Sequence, residues 1–155
     1  MPAPQTFYEL ASSRLDDQMN RVDSLDAKAA SALAFAAALL PVFGAIIALS
    51  KAQRPAAGAV LYVTAMLVYA ALLVCVLKAY RVTNWDLRPD IPTLQTYSQT
   101  QTEDAMRTWV GNECVISIGR NEKRLTRKAQ WITAALALLA VDALLLSTAA
   151  LLTIW

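Results

Sequence analysis

Three long apolar segments constrain the fold of this chain more than any other feature. Residues 29–49 and 56–77 contain no charged side chain, and residues 129–154 contain one, Asp142. About 20 apolar residues in a helix cross a hydrocarbon layer roughly 30 Å thick, so each segment is long enough to span a bilayer. The composition agrees, since 57% of the residues are apolar and 17% are charged. The sequence therefore predicts an all-α integral membrane protein with three transmembrane helices.

Residues 1–28 are predicted to form an amphipathic helix ahead of the first span. Thr6 and Glu9 fit a capping box at its start. Its four aspartates argue against binding to anionic lipid, so its apolar face is expected to meet a protein partner. That face consists of apolar side chains at helical spacing, namely Ala11, Leu15, Met19 and Val22.

Residues 78–128 are predicted to form a helical connector between the second and third spans. Two prolines between Asn84 and Thr96 indicate a turn region. A capping box at Thr100 and Glu103 then predicts a helix start, and we expect this helix to continue into the third span. With the N-terminal helix it would form a stalk. Two helices cannot bury both apolar faces, which favours an oligomer over a loose monomer lying on lipid.

The first span, residues 29–49, carries small residues along one helical face, which lets another helix approach closely. Pro41 with Gly44 is expected to kink the span. A cleaved signal peptide is the rival interpretation, but the apolar stretch is too long and too far from the N-terminus for one. The face consists of Ala30, Ala34, Ala37, Pro41, Ala45 and Ala48.

Lysine and arginine are distributed unevenly about the spans. Three spans place the N-terminal helix and the connector on one side and a short turn, residues 50–55, on the other. The first side carries 12 cations and the turn carries two, Lys51 and Arg54. Positive charge is retained on the cytoplasmic side of membranes. We therefore expect a multi-pass protein of the bacterial inner membrane with a cytoplasmic N-terminus and with Trp155 near the external interface.

The densest positive charge lies immediately before the third span, at Arg120, Lys123, Arg124, Arg127 and Lys128. One interpretation is a topology signal that contacts lipid headgroups. The other is a phosphate-binding patch, in which arginine offers a planar fork and lysine a point charge. Asn121, on the apolar face of the same helix, either sets the register between helices or reads a base edge or ribose.

Other positions bear on packing or gating in the membrane. Asp142 costs roughly 2.5–3.5 kcal/mol to insert at mid-membrane depth. It either hydrogen-bonds between helices, with Thr64 and Tyr69 at suitable depths, or lines a pore or gate. No second intramembrane acid, base or histidine supports a proton relay. Asp26 and Lys28 are either interfacial anchors of the first span or gating contacts, and Pro41 is grouped with them.

The chain lacks residues that most enzymes and metal sites need. Histidine is absent, which removes the usual acid–base group at neutral pH. There is no CxxC pair, glycine-rich phosphate loop or GxSxG turn. Cys75 lies in an apolar segment and Cys114 in a polar one, which argues against a disulfide. We expect no catalytic activity, no metal, no cofactor and no nucleic-acid partner.

Two short motifs resemble the membrane effectors of the Pycsar antiphage systems. One is Asp-Ala-Lys-Ala-Ala at residues 26–30, leading into the alanine-rich first span, and the other is Lys-Arg-Leu-Thr-Arg-Lys-Ala at residues 123–129, before the last span. The order of parts is also similar. In that family a pyrimidine cyclase makes cyclic CMP or cyclic UMP on infection, and the small effector impairs the membrane.

The resemblance implies a cyclic-nucleotide receptor that disrupts the inner membrane and causes growth arrest or cell death. The cytoplasmic helices would bind the nucleotide, with its phosphate neutralised by cations such as Arg120, Lys123 or Arg124. Binding across subunits of a homo-oligomer would change how the stalk and spans pack. Two readings of a different kind stay open: a non-enzymatic scaffold or adaptor subunit of a larger membrane complex, and a small transporter.

Overall fold

A computed structural model describes residues 3–49, 56–81 and 84–154, and the regular secondary structure of these residues is entirely helical, without any strand. Three of the helices are long and apolar enough to cross a membrane, which confirms the all-α class and agrees with a multi-pass membrane protein. The predicted turn at 50–55 and Trp155 lie outside the described residues. The helices in order are α1 (Ala3–Leu49), α2 (Ala56–Tyr80), α3 (Ile91–Ser98) and α4 (Glu103–Ile154).

The predicted N-terminal helix and first span are parts of one helix, α1. The predicted capping box is wrong, because α1 begins at Ala3 and Thr6 lies inside it. Pro4 explains the earlier start, since the first turn of a helix needs no N–H from it. Glu9 instead accepts a hydrogen bond from Gln5 Nε2 at 2.9 Å, one helical turn away.

Helix α4 confirms that the connector helix continues into the third apolar segment. It runs from Glu103 to Ile154 through all of the basic residues. The residue that caps it is Thr102 and not Thr100. The Thr102 hydroxyl accepts a hydrogen bond from the Ala105 amide at 3.4 Å, and its carbonyl accepts one from the Met106 amide at 2.9 Å.

The predicted turn region at 84–96 is only partly irregular. Residues 84–90 have no regular structure, but α3 follows them. The Asp90 carboxylate caps α3 by accepting hydrogen bonds from the amide and hydroxyl of Thr93 at 3.1 and 2.8 Å. Pro92 is tolerated because it stands in the first turn, where the N–H groups have no helical partners.

Contacts divide the chain into two units. The first unit comprises Met1–Ser24 and Val82–Arg127, and the second comprises Leu25–Arg81 and Lys128–Trp155. Helices α1 and α4 each contribute residues to both units.

In the first unit, α1 and α4 pack through one stripe of side chains on each helix. The stripes repeat in steps of four and three residues, which is the spacing of helices that pack side by side. Hydrogen bonds join Arg107 to Gln5 and Gln18 to Ile118, so residues about 100 positions apart are level at two heights and the two helices run in parallel. We call these two stripes the seam. In this unit it contains Ala11, Leu15, Gln18 and Val22 of α1, and Gly111, Cys114, Ile118, Asn121 and Leu125 of α4.

In the second unit, α1, α2 and α4 pack around small residues. The same spacing continues with Ala29, Ala32 and Ala36 of α1. The small-residue face predicted for the first span lies on another side of α1 and does not take part in this packing. Its residues with described side chains are all exposed, namely Ala30, Ala34, Ala37, Pro41 and Ala45. The facing residues are Ala65, Leu72, Cys75, Val76 and Ala79 of α2, with Ile132, Ala135, Leu139, Asp142 and Leu146 of α4.

Large apolar side chains of the second unit remain on its outside. Leu67 is 68% exposed, Leu77 69% and Leu144 69%. Lipid tails are as apolar as leucine, so a helix in a bilayer has no need to bury such residues against protein. This distribution is the one expected of membrane-crossing helices.

Candidate functional site

The segment 84–90 is held against α4 by two buried side chains. Asn121 donates from Nδ2 to the Asp86 carbonyl at 2.9 Å and accepts at Oδ1 from the Asp86 amide at 3.0 Å. The Ser117 hydroxyl accepts from the Arg88 amide at 3.1 Å. Both side chains are fully buried. The carboxamide of Asn121 is therefore fully engaged by the main chain of this segment, and its predicted contact with a ligand stays a prediction.

Arg120 of the basic run is also engaged by this segment. Its guanidinium lies 3.0 Å from one carboxylate oxygen of Asp86, and Arg88 lies 3.1 Å from the other. Partial burial acts to raise the pKa of Asp86, but the hydrogen bonds and charges of Arg120 and Arg88 outweigh it, so that pKa lies below its usual value. Asp86 is thus held ionised between two cations.

We expect the acid limb of the stability curve to depend on Asp86. Because its pKa is lower in the folded state, its contribution is present above the unfolded value of about 3.9 and is lost as the pH falls through the lower folded value. Asp86→Asn should lower stability at pH 7 and flatten the loss below about pH 4. Unfolding curves at pH 7 and pH 3 check this, with Asp17→Asn, an exposed acid, as the control. An unchanged acid limb in Asp86→Asn would contradict it.

The remaining cations of the basic run fall into two groups. Arg124 donates to the carbonyl of Asn84, so it shares with Arg120 the task of holding segment 84–90. Lys123 and Arg127 are exposed and make no ion pair or side-chain hydrogen bond among the described residues. These two are the cations of the run that are free for an anionic ligand.

Lys128, the last cation of the run, belongs to the second unit. Its Nζ lies 2.6 and 2.8 Å from the two carboxylate oxygens of Asp26, and its side chain is only 13% exposed. The Tyr80 hydroxyl donates to the Asp26 carbonyl at 3.0 Å. Lys28 is exposed. Asp26 therefore ties α1 to α4 and α2, whereas Lys28 stands apart from that cluster.

Asp142 is fully buried, and neither of its carboxylate oxygens has a hydrogen-bond partner. Thr64 and Tyr69, the partners suggested by their depth in the membrane, form no hydrogen bond with it. The Thr64 hydroxyl donates to the Val60 carbonyl at 2.9 Å, and Tyr69 packs against the apolar cluster of Leu72 and its neighbours. A carboxyl buried in an apolar layer without a hydrogen-bond partner costs free energy.

Gln18 is a polar seam residue to which the sequence analysis gave no role. It is 5% exposed, and its Nε2 donates to the Ile118 carbonyl at 3.2 Å and to the Glu122 carboxylate at 3.3 Å. Both partners are acceptors, which fixes the orientation of the carboxamide. Its Oε1 is buried and unpaired. Only its position at a core step of the seam could have drawn attention to it.

The two cysteines, Cys75 and Cys114, are free and buried. Burial raises the pKa of the Cys114 thiol, and the negative charges of Asp16 and Glu113 raise it further. A thiol with a raised pKa stays protonated at neutral pH and is a poor nucleophile.

The fold is that of a small helical protein with three candidate membrane-crossing helices. The candidate site is the polar part of the α1–α4 pair, where Lys123 and Arg127 are the unpaired cations of the basic run among the described residues. No family model, curated protein or solved structure that was compared with the chain matches it. The particular function is therefore inferred from the residues.

Proposed function

We propose that the protein is a nucleotide-gated membrane effector. It binds cyclic CMP or cyclic UMP, made by a partner cyclase, in the cytoplasm and then impairs the bacterial inner membrane, which arrests growth or kills the cell. Its N-terminus is cytoplasmic and its C-terminus external. The observation that supports this best is that α1 and α4 each join a charged part and a membrane-crossing apolar part in one unbroken helix.

The unbroken helices supply a physical route from ligand to membrane. A helix that turns or slides about its axis carries all of its side chains with it, so a change in the seam among the charged residues alters the apolar residues of the same helix. A ligand produces such a change only if it binds one packing of the seam more tightly than another. Gln18, whose buried Oε1 is unpaired, makes the packing of the seam sensitive to new hydrogen bonds.

Lys123 and Arg127 are proposed as the cations that bind the phosphate. They stand four residues apart on α4, where neighbouring like charges weaken a helix by a few tenths of a kcal/mol. A phosphate between them removes that repulsion and adds charge-assisted hydrogen bonds. Arg120 and Arg124 act indirectly, because they position segment 84–90.

Removing these two cations should strongly weaken nucleotide binding while leaving the fold intact. We expect Lys123→Ala/Arg127→Ala to weaken binding of the preferred cyclic pyrimidine nucleotide by roughly a hundredfold or more, since each of the two charge-assisted hydrogen bonds contributes about 1.5–3 kcal/mol. Calorimetry on the detergent-purified protein measures this. Arg14→Ala/Arg21→Ala removes the same charge at exposed positions of α1 and should bind normally. Normal binding by the first variant would show that the run serves only topology.

The effector is proposed to act as a homo-oligomer in the lipid bilayer. The small-residue face of the first apolar segment is exposed, so a helix of a second copy could pack closely on it. The same exposed face also suits the alternative function, a scaffold or adaptor subunit of a larger membrane complex. Purification that returns one stoichiometric membrane partner, together with no nucleotide binding, would favour the adaptor.

A further inference from the structure

We infer that Gln18 and Glu122 form a recognition site for the exocyclic amino group of a nucleotide base, and hence that the ligand is cyclic CMP and not cyclic UMP. The inference rests on the proposed function for the class of ligand. It adds the part of the ligand that is read and the residues that read it.

The site is defined by an acceptor without a donor. Gln18 Oε1 is buried and unpaired inside the seam, while Nε2 of the same carboxamide is held by the Ile118 carbonyl and the Glu122 carboxylate. A buried amide oxygen without a hydrogen bond costs about 1–3 kcal/mol, so a group that supplies a donor there gains that free energy. Leucine would fill a seam position of this kind without the penalty.

The chemistry of the two acceptors selects the base. An exocyclic amine has two N–H groups and can donate one to Gln18 Oε1 and one to a Glu122 carboxylate oxygen, which is exposed at the edge of the seam. The amine of cytosine meets this requirement. Uracil carries a carbonyl oxygen at the same position, which would face two acceptors and leave Gln18 Oε1 unpaired. Sites that must pair a buried polar group discriminate strongly against an analogue that lacks the partner.

The phosphate site lies next to this pair in the chain. Glu122 and Lys123 are consecutive on α4, so their side chains leave the helix about 100° apart. One ligand could thus place its amine at the seam and its phosphate on the exposed cations. Because Gln18 Oε1 is covered in this packing, the amine reaches it only when α1 and α4 shift at that level. The ligand therefore favours a rearranged seam, as gating requires.

The test is equilibrium binding of cyclic CMP and cyclic UMP to the full-length protein in detergent, with Gln18→Leu and the control Asn20→Leu. Asn20 lies on the exposed side of α1. We expect the unaltered protein to prefer cyclic CMP by roughly tenfold or more, and Gln18→Leu to bind both nucleotides with the weaker affinity. Asn20→Leu should keep the preference. Thermal unfolding verifies that each variant is folded.

Three outcomes overturn the inference, and they differ from failure of the proposed function. Equal binding of the two nucleotides, a preference for cyclic UMP, or a cyclic CMP preference that survives in Gln18→Leu would each leave a nucleotide-gated effector that reads its ligand elsewhere. Glu122→Gln offers a second variant whose shape is conserved, and it should weaken cyclic CMP more than cyclic UMP. If the folded protein binds neither nucleotide, the proposed function fails together with this site.

Discussion

Replacing Asp142 with leucine is expected to stabilise the protein in detergent and to abolish the membrane disruption that we propose for it. The carboxyl is fully buried and unpaired, so the packing described here bears the cost of an unsatisfied polar group, about 1–3 kcal/mol. Leucine has the same number of side-chain heavy atoms in a similar branched arrangement, and its larger methyl groups replace the two unpaired oxygens with apolar contact. A packing in which Asp142 contacts water or a hydrogen-bond donor does not bear this cost, so the carboxyl favours that packing over the one described here. Leucine removes this preference.

The measurement combines thermal unfolding with dye release from liposomes, in the presence of the cyclic nucleotide. Asp142→Asn is the matched control, because it keeps a polar group of nearly the same shape and should keep most of the activity. A leucine variant that is stabilised yet releases dye normally would show that Asp142 is a packing defect without a role in gating. A destabilised leucine variant would instead reveal a polar partner for the carboxyl.

Replacing Asn121 with alanine is expected to detach segment 84–90 from α4. The change removes both hydrogen bonds to the Asp86 main chain and leaves a gap at a fully buried position. The loss of two such bonds and the gap together should weaken the attachment of the segment to α4 by about 2–4 kcal/mol. The segment is short and unstructured, so its release should be local, with the helices retained.

Hydrogen exchange at the amides of Asp86 and Arg88 reports this release directly. Both amides donate to α4 side chains and should exchange much faster in Asn121→Ala. Asn112→Ala, at an exposed position of α4, is the control and should change neither exchange nor stability. Slow exchange at Asp86 in the Asn121 variant would mean that the segment is held by its ion pairs with Arg120 instead.

The helices of this protein could be predicted because their causes are local. Long apolar runs set three of them, and the absence of a strong breaker between Glu103 and Ile154 lets α4 continue through the basic residues. The error at the start of α3 has an equally local cause: Pro92 was taken to indicate a turn, although the first turn of a helix accepts proline. Helix α3 was missed for this reason.

The apolar face with which α1 packs against α4 was predicted only approximately. Steps of four residues placed Met19 on the apolar face, whereas the seam follows steps of four and three and places Gln18 there. The correct period depends on a partner helix, because two helices that wrap around one another bring residues 3.5 positions apart onto the contact line. No single segment of the sequence reveals that partner.

The helical class, the apolar segments and the location of the charge follow from the sequence, because they depend on residues that are neighbours in the chain. Which charges are free depends on the tertiary structure. It pairs Arg120 and Arg124 with segment 84–90 and Lys128 with Asp26, and it leaves the oxygens of Gln18 and Asp142 unpaired. Those outcomes depend on residues as many as 102 positions apart, since hydrogen bonds and ion pairs act across a few ångströms of space and not along the chain.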